Sequence, residues 1–413
     1  MITEQIAGVD VRSLAEQFGT PAYVYDRRKI EERISDLNAF PVIRYAQKAN
    51  SNLAILDVVR QRGVLLDAVS AGEIHRALKA GYKPSEIVYT SDIFDHETLK
   101  TVSQLGIHVN CGSPDMISQY GAVCPNRSIT LRINPGFGHG HSQKTNTGGE
   151  QSKHGIWYEQ LPECLSRAKS ASLTITGMHM HIGSGTDFQH LSQVCSALEQ
   201  AALQVGPTLT TISAGGGLPT PYAPDDKPID IGAYSDLWLN TRRSLERKLG
   251  KKLSLEVEPG RYLVAEAGFL ISEIRAVKQM GTNVFYLLNA GFNNLARPIL
   301  YGAYHSMSIC YSKGANSGHQ PVVVGGPLCE SGDIFTQSDG GFVQHRELPI
   351  AQVGDFVVVH CAGAYSFSMS SNYNSMPLAC EILIDAGKPH LIRRRQTLDD
   401  LTGPEIIPCY ESV

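Results

Sequence analysis

The sequence lacks a long hydrophobic run and lacks closely paired cysteines. No apolar stretch in its 413 residues reaches the roughly 18 needed to span a membrane, and the N-terminus lacks the basic-then-apolar pattern of a signal peptide. The nine cysteines are scattered and form no C-x-x-C pair, which argues against a disulfide framework or a structural zinc site. We therefore expect a cytoplasmic protein with reduced thiols and no membrane partner.

Charge of either sign is also sparse. Charged residues make up 18% of the chain and the formal net charge is −4, so no general attraction to nucleic acid is expected. The dense basic run is Arg393–Arg395, which we interpret as a solvated face. A hydrophobic content of 42% is typical of a soluble globular protein and not of a disordered or fibrous one.

Short β-rich segments alternate with helical patterns through the first two thirds of the chain. The segments read VIRYA, VLLDAVS, EIVYTS, IHVNC, ITLRINP, ITGMHMHI, LTTISAGGG and LSLEVEPG. Eight strand–helix repeats predict an α/β protein with a (β/α)₈ barrel, with an open doubly wound sheet as the alternative. The length itself favours two domains.

The pattern changes after about residue 267, where strands follow one another with Gly, Pro and Asp turns and little helix. These strands read VFYLLNAG, QPVVVGGPLC, DFVVVHCAGAY and CEILIDAG. We predict a barrel over 27–267 and a second, mostly antiparallel β domain formed by 1–26 and 268–413. The opening TPAYVYD is also strand-like and is a candidate to join the second sheet.

Polar and glycine residues cluster where the barrel strands are predicted to end, which is where barrels of this kind carry their active sites. Lys48 ends the first strand and is either a solvated strand end or a desolvated nucleophile. Gly215–Gly217 form either an ordinary loop or a turn whose backbone approaches a phosphate. Glu258 ends the eighth strand, and a carboxylate buried there needs a partner, which Arg261 could supply.

His179 and His181 lie two apart on one strand and so face the same side. A metal site of this type needs further ligands on other strands, and the sequence does not supply them. One histidine stacked on a cofactor ring, with the other a buried core histidine, is the better interpretation. A lysine, a glycine turn, a stacking ring and a carboxylate together favour pyridoxal 5'-phosphate as the cofactor.

Six segments in order resemble the alanine-racemase-fold (fold type III) pyridoxal phosphate decarboxylases. They read YAQKAN, HMHIGSG, SAGGG, EPGRYLVAEAG, GPLCESGD and GAYSFSMSSNYN. Within that class the chain most resembles the diaminopimelate decarboxylase family, which catalyses the last step of bacterial lysine synthesis. The likeness runs from about residue 15 to 398.

The resemblance implies a cofactor site. Lys48 would hold pyridoxal phosphate covalently, with Asp67 as a supporting residue nearby. His181 would stack on the ring, and Glu258 would keep the ring nitrogen protonated. The residues implied in binding the phosphate region are Ser184, Gly217, Gly260, Arg261 and Tyr365.

The resemblance also implies a substrate site and a dimer. Arg261, Arg297 and Tyr301 would bind the distal carboxylate of the substrate, and Glu330 would bind its distal ammonium. Cys329 would be the acid that protonates the substrate carbon after carbon dioxide leaves; on residue type alone, a small buried apolar residue is the alternative. The segment around Cys329 would reach the neighbouring subunit's site, which implies a head-to-tail homodimer with shared active sites.

Two positions depart from the family pattern, and both remove a charge. The usual DAG reads Asn289-Ala290-Gly291, and the arginine of NSRP is Met376. We therefore predict a pyridoxal-phosphate-dependent decarboxylase of meso-diaminopimelate, with a citryl-amino-acid decarboxylase of siderophore synthesis as the alternative. Glu330 favours the former, because a carboxylate there expects a cationic group at the far end of the substrate.

Other classes are weaker alternatives. A racemase of the same fold would use a tyrosine as its opposite base, and a non-catalytic homologue would be expected to have lost Lys48 or Cys329. The loop 136–155 is glycine-rich and polar, as both a mobile lid and a static surface loop would be.

Overall fold

The computed structural model describes residues 1–138, 147–181, 187–314, 317–338 and 340–410. The chain divides into two compact units. One consists of Lys29–Pro221 and Asp225–Ala265, and the other of Met1–Arg28, Tyr222–Pro224 and Glu266–Val413. The first is called the barrel unit below, and the second the sheet unit.

The barrel unit contains eight parallel strands that close on themselves. In chain order, β1 to β8 are Val42–Ala46, Leu65–Ala68, Ile87–Ser91, His108–Cys111, Ser128–Asn134, Thr174–His179, Thr211–Ser213 and Ser254–Val257. The eighth strand pairs with the first through Glu256 opposite Val42, so the sheet has no open edge. This closure confirms the (β/α)₈ barrel and shows that the open doubly wound sheet was wrong. A short strand, Ile156–Trp157, adds to the end of β5.

Each barrel strand is followed by a helix. The helices are Leu53–Gln61, Ala71–Lys79, His96–Leu105, Pro114–Val123, Leu161–Ser170, Phe188–Val205, Ile231–Leu249 and the short Arg261–Val264, with Arg27–Ser35 before β1. Six of them begin at a side chain that accepts a hydrogen bond from the first turn: Asn52, Ser70, Asp95, Ser113, Asp187 and Asp230. No helix within the described ranges is long and apolar enough to cross a membrane.

The sheet unit is built around one long strand, Gly268–Met280. It pairs with Asn283–Leu288, Phe356–Val359 and Ala22–Asp26. The other strands are Met307–Cys310, His319–Gly325, Arg346–Pro349, Cys380–Asp385 and Lys388–Arg393. Six of the pairings within the described part of this unit's main sheet are antiparallel and two are parallel, which confirms a second, mostly antiparallel domain.

The N-terminal segment belongs to this sheet, as its strand-like pattern suggested. Ala22–Asp26 lies between Gly268–Met280 and Cys380–Asp385. Before it come a two-stranded hairpin, Gln5–Ile6 with Val9–Asp10, and the helix Val11–Phe18. The remaining helices of the unit are Arg297–Tyr301 and Leu398–Thr402.

The basic run 393–395 is not uniformly a solvated face. The Arg393 guanidinium donates to the carboxylate of Glu381, which is fully buried and also accepts from the hydroxyl of Tyr25 at 2.7 Å. Arg393 also lies 4.4 Å from the centre of the Phe367 ring. Arg394 is exposed, as predicted, and pairs with Asp400. The interpretation was wrong for Arg393 because its partner lies on the adjacent strand.

We predict that Arg393→Met lowers the free energy of unfolding by about 3 kcal/mol, because it leaves the Glu381 carboxylate buried without its cation. Thermal unfolding followed by circular dichroism measures the change. Arg394→Met is the matched control and should leave the melting temperature unchanged, since that pair is exposed. Equal effects of the two substitutions would contradict the inward role of Arg393.

Candidate active site

The predicted site residues of the barrel unit lie at the carboxyl ends of its strands. Lys48 is in a single 3₁₀ turn, Gln47–Ala49, directly after β1, and Asp67 lies near the end of β2. His181 follows β6, and Glu258 follows β8. Because all eight strands are parallel, these side chains share one rim of the barrel. Ser184 lies outside the described residues.

Glu258 is held as a carboxylate by donors from two other strands, β6 and β7. The His179 Nε2–H donates to Oε2 at 2.8 Å, and the Ser213 Oγ–H donates to Oε1 at 2.7 Å. Burial alone would raise the pKa of Glu258, but the electrostatic attraction and hydrogen bond of His179, with the hydrogen bond of Ser213, lower it below its usual range. Glu258 therefore stays ionised inside the barrel.

His179 is thus the buried core histidine of the pair, with a side-chain exposure of 1%. Its Nδ1 atom has no hydrogen-bond partner among the described residues. The sequence pattern indicated a partnered histidine here but not its partner, which lies 79 positions away in the chain. Ser213 was missed altogether, because a serine at a strand end carries no distinctive signal.

Asp67 is the second buried carboxyl of the barrel, and its pKa is shifted in the opposite direction to that of Glu258. Burial raises its pKa well above the usual range, and the negative charge of Glu258 adds to the rise, while Lys48 partly opposes it. Its Oδ1 atom has no partner among the described residues. Two neighbouring carboxyls therefore differ in protonation, one neutral and one charged.

Lys48 is exposed at the rim. Its positive charge acts on the pKa values of Asp67, Glu73 and His181. The amine is therefore solvated, and desolvation of Lys48 is not a feature of this structure. What fits it to the role of a nucleophile is its place beside two carboxyls and a histidine on the rim.

The His181 ring is neutral and fixed in orientation. The Gly216 N–H donates to Nδ1 at 2.8 Å, so the proton of the ring is on Nε2. Burial lowers the pKa of His181 well below its usual range, and the charges of Arg132 and Lys48 lower it further. The Thr147 hydroxyl fixes the same residue through its carbonyl oxygen, at 3.0 Å. A neutral ring of fixed orientation suits stacking on another ring.

The glycine triplet is required by packing. Gly215 and Gly217 have φ values of +61° and +95°, which favour glycine. A Cβ on Gly216 would lie 2.6 Å from the carbonyl oxygen of Glu258. A Cβ on Gly260 would lie 3.0 Å from the carbonyl oxygen of Ala46. The turns after β7 and β8 therefore meet backbone to backbone, and this brings Ser213 within reach of Glu258.

The loop 136–155 is fastened at its base by Asn134, at the end of β5. The Asn134 amide accepts from the N–H groups of Gly136 and Gly149 and donates to the carbonyls of Gly149 and His154. The His154 ring pairs with Asp92 at 2.6 Å. The lid hypothesis depends on 139–146, which lie outside the described residues.

The sheet unit carries the other predicted site residues. Arg297 begins a short helix and is buried, and Tyr301 ends that helix and is half-buried. Tyr365 has a φ of +57°, a conformation that non-glycine residues adopt at a cost. Cys329 and Glu330 are exposed, so the interpretation of Cys329 as a buried apolar residue was wrong.

The turn that carries Cys329 is organised by Asp333, to which the sequence assigned no role. The buried Asp333 carboxylate accepts from the N–H groups of Phe292 at 2.7 Å and Leu328 at 2.8 Å. A Cβ on Gly326 would lie 2.2 Å from that carboxylate. The Cys329 N–H donates to the Asn374 side chain at 2.8 Å. The glycines around the turn were the available signal, since they make room for a buried acid.

Of the two departures from the family pattern, the one at Asn289 is explained by contacts within the fold. Asn289 accepts from the Ser272 hydroxyl at 2.8 Å and the Glu273 N–H at 3.0 Å, and donates to the Thr20 hydroxyl at 2.9 Å. Met376 is half-buried and ends the 3₁₀ turn Tyr373–Ser375. Three hydrogen bonds therefore commit the Asn289 side chain to the fold, whereas Met376 has no structural explanation.

Comparison with known proteins places the chain in a family. Residues 27–265 match the family of pyridoxal-dependent decarboxylases, pyridoxal binding domain. A diaminopimelate decarboxylase of Escherichia coli strain K12 is 51% identical over 401 residues, covering 95% of this chain and 96% of the relative. A crystal structure of a diaminopimelate decarboxylase has a TM-score of 0.93 at 51% identity and covers 96% of both chains.

A more distant structure agrees. A diaminopimelate decarboxylase of Helicobacter pylori in complex with L-lysine is 31% identical, with a TM-score of 0.87 and coverage of 96% of this chain and 99% of that one. The barrel with its rim of lysine, histidine and carboxylate is thus that of a pyridoxal-dependent decarboxylase of the alanine-racemase fold. Within this class, the chain belongs to the diaminopimelate decarboxylase family.

The raised pKa of Asp67 predicts a pH-dependent stability of the cofactor-free protein. The folded protein keeps a proton that the unfolded carboxyl loses, so wild-type stability falls as the pH rises from the ordinary carboxyl range toward the folded pKa. Asp67→Asn removes this loss. Its melting temperature should exceed that of the wild type by more at about pH 8 than at about pH 5.

Asp57→Asn, at a surface position of the helix after β1, is the control for the loss of one carboxyl. It should show no such widening between the two pH values. A constant difference between Asp67→Asn and the wild type would mean that Asp67 is ionised in the folded protein.

Proposed function

We propose that this protein decarboxylates meso-diaminopimelate to L-lysine and carbon dioxide with pyridoxal 5'-phosphate as its cofactor. The observation that carries the proposal is Glu258, a buried carboxylate kept ionised by His179 and Ser213 at the rim that also carries Lys48. The substrate rests on 51% identity over nearly the whole chain to a diaminopimelate decarboxylase. That identity does not favour the citryl-amino-acid alternative.

The residues at the barrel rim fit the cofactor. Glu258 offers an anion for a protonated ring nitrogen, and a carboxylate is the group that such a nitrogen needs. His181 offers a neutral ring of fixed orientation. Lys48 would hold the cofactor covalently, with Asp67 beside it. The phosphate would be bound by Ser184, Gly217, Gly260, Arg261 and Tyr365.

When bound, pyridoxal phosphate supplies an electron sink for the bond that breaks. The side chains of the protein bind and orient the substrate and supply the proton. Arg261, Arg297 and Tyr301 bind the distal carboxylate of the substrate, and Glu330 binds its distal ammonium, so that the other end of the substrate is placed for reaction. The bond from the reacting carbon to its carboxylate breaks, carbon dioxide leaves, and the Sγ–H of Cys329 gives its proton to that carbon.

We infer further that the protein is a head-to-tail homodimer that shares its active sites. Cys329 and Glu330 are exposed on a turn made rigid by Asp333, as residues that act on a neighbouring molecule would be. Residues 27–267 would bind the cofactor, and 1–26 with 268–413 would supply substrate and dimer contacts. The absence of disulfides among the described cysteines fits the cytoplasm as its compartment.

The first test is carbon dioxide release by the purified protein with added pyridoxal phosphate. We expect turnover of meso-diaminopimelate and formation of lysine, and no turnover of citryl-serine or citryl-diaminopropionate conjugates. Lys48→Ala, which lacks the amine that would hold the cofactor, is the inactive control. If the protein released carbon dioxide from a citryl conjugate and none from meso-diaminopimelate, the siderophore-type reaction would be assigned. The role of Glu330 in binding a distal ammonium would then be wrong.

The shared site predicts complementation between two inactive variants. Subunits of Lys48→Ala and Cys329→Ala, exchanged by mild denaturation and refolding, should recover about a quarter of wild-type activity, because about half the dimers are mixed and each mixed dimer has one intact site. Carbon dioxide release measures the recovery. Lys48→Ala mixed with Glu258→Ala is the control, since both residues belong to the same subunit's site. No recovery in the first mixture would overturn the shared site.

A further inference from the structure

The Arg297 guanidinium contacts the side chains of His305 and Tyr222 in the sheet unit. Its Nη1 atom lies 2.8 Å from Nε2 of His305, and Nδ1 of His305 lies 2.9 Å from the carbonyl oxygen of His360. His305 is 1% exposed and Arg297 is 7% exposed. Neither the mechanism above nor the sequence motifs give His305 a role.

These two contacts fix the protonation of the His305 ring. A guanidinium only donates, so Nε2 must accept from Arg297; a carbonyl only accepts, so Nδ1 must carry the proton. His305 is therefore neutral with its proton on Nδ1. A ring held at both nitrogens cannot rotate without losing a buried hydrogen bond, so Nε2 offers the Arg297 guanidinium an acceptor in a fixed place.

Tyr222 holds the guanidinium from its face. The Cζ atom of Arg297 lies 4.3 Å from the centre of the Tyr222 ring, which is a cation–π contact. The same ring meets His305 edge to face, with centroids 5.1 Å apart. The Ser306 hydroxyl donates to the Tyr222 carbonyl at 3.0 Å. This hydrogen bond links the backbone at Tyr222 to the residue that follows His305. Two neutral groups thus contact the Arg297 guanidinium, one at Nη1 and one at its face.

We propose that His305 is a positioning residue that aims Arg297 at the carboxylate on the far end of the substrate. The inference rests on the proposed function, in which Arg297 binds that carboxylate. Both of these contacts are with uncharged groups, the His305 ring and the Tyr222 ring. An arginine aligned in advance loses less entropy on binding a carboxylate. His305 therefore selects for ligands that carry a distal carboxylate and has no part in the bond that breaks.

The test compares ligands with and without that carboxylate. L-lysine, the expected product, keeps the distal carboxylate, and cadaverine is the same chain without it. In the pyridoxal-phosphate-loaded protein, His305→Phe should raise the KM for meso-diaminopimelate and weaken inhibition by L-lysine by about tenfold each, with kcat nearly unchanged. Inhibition by cadaverine should not change. The visible absorbance of the bound cofactor should match that of the wild type.

Matched variants separate positioning from general damage. His305→Gln can still accept from Arg297 and should restore part of the L-lysine affinity, whereas Tyr222→Leu removes the ring contact and should weaken L-lysine but not cadaverine. If His305→Phe does not fold, these two variants decide. His345→Phe is the control, because His345 is exposed in the same unit and its ring pairs with the Asn283 side chain, away from Arg297.

Unchanged L-lysine inhibition in folded His305→Phe would overturn the inference, as would equal weakening of L-lysine and cadaverine. Failure of the wild type to act on meso-diaminopimelate would instead overturn the proposed function. A crystal structure of His305→Phe decides the positioning role in that case: we expect the Arg297 guanidinium to leave the face of Tyr222, and an unmoved guanidinium would overturn the role.

Discussion

A negative charge held inside a closed barrel is the constraint on which the rest of the site depends. A buried carboxylate is costly unless donors satisfy it, and Glu258 has donors from two other strands, His179 and Ser213. Burial raises the pKa of the neighbouring Asp67, and the negative charge of Glu258 raises it further. The protonation pattern of the rim therefore follows from burial together with one ionised residue.

The same constraint explains the backbone around Glu258. Ser213 can reach the carboxylate because the turns after β7 and β8 approach without side chains between them, and a Cβ on Gly216 would overlap the Glu258 carbonyl. The Gly216 N–H then donates to His181 and sets its tautomer. The two histidines at the end of β6 consequently differ: His179 donates to the buried carboxylate, and His181, just beyond the strand, presents a neutral ring. The glycine triplet thus helps to set the charge of Glu258 and the tautomer of His181, and it is also a candidate phosphate-binding loop.

Sequence patterns predicted what is local and missed what depends on distant partners. The eight barrel strands, the helices between them and the rim positions of Lys48 and Glu258 could be read from short-range periodicity and the parallel topology. The long strand Gly268–Met280 was missed, because its first half is nearly all buried and its second half mostly exposed, so it shows no alternation. His179 with Glu258 and Tyr25 with Glu381 are joined across 79 and 356 positions, and no local pattern encodes such pairs.

The loss of a charged residue from a family motif indicates a change of function only if that side chain does not already have a structural role. Asn289 has such a role. At position 289, an aspartate could accept from Ser272 and Glu273 as the asparagine does, and the Thr20 hydroxyl could donate to it instead of accepting. Exchanging aspartate for asparagine at position 289 therefore requires only that the Thr20 hydroxyl rotate. The exchange alters a hydrogen bond within the sheet unit. Specificity is better sought in Arg297, whose direction is set by His305 and Tyr222, and in the exposed Glu330.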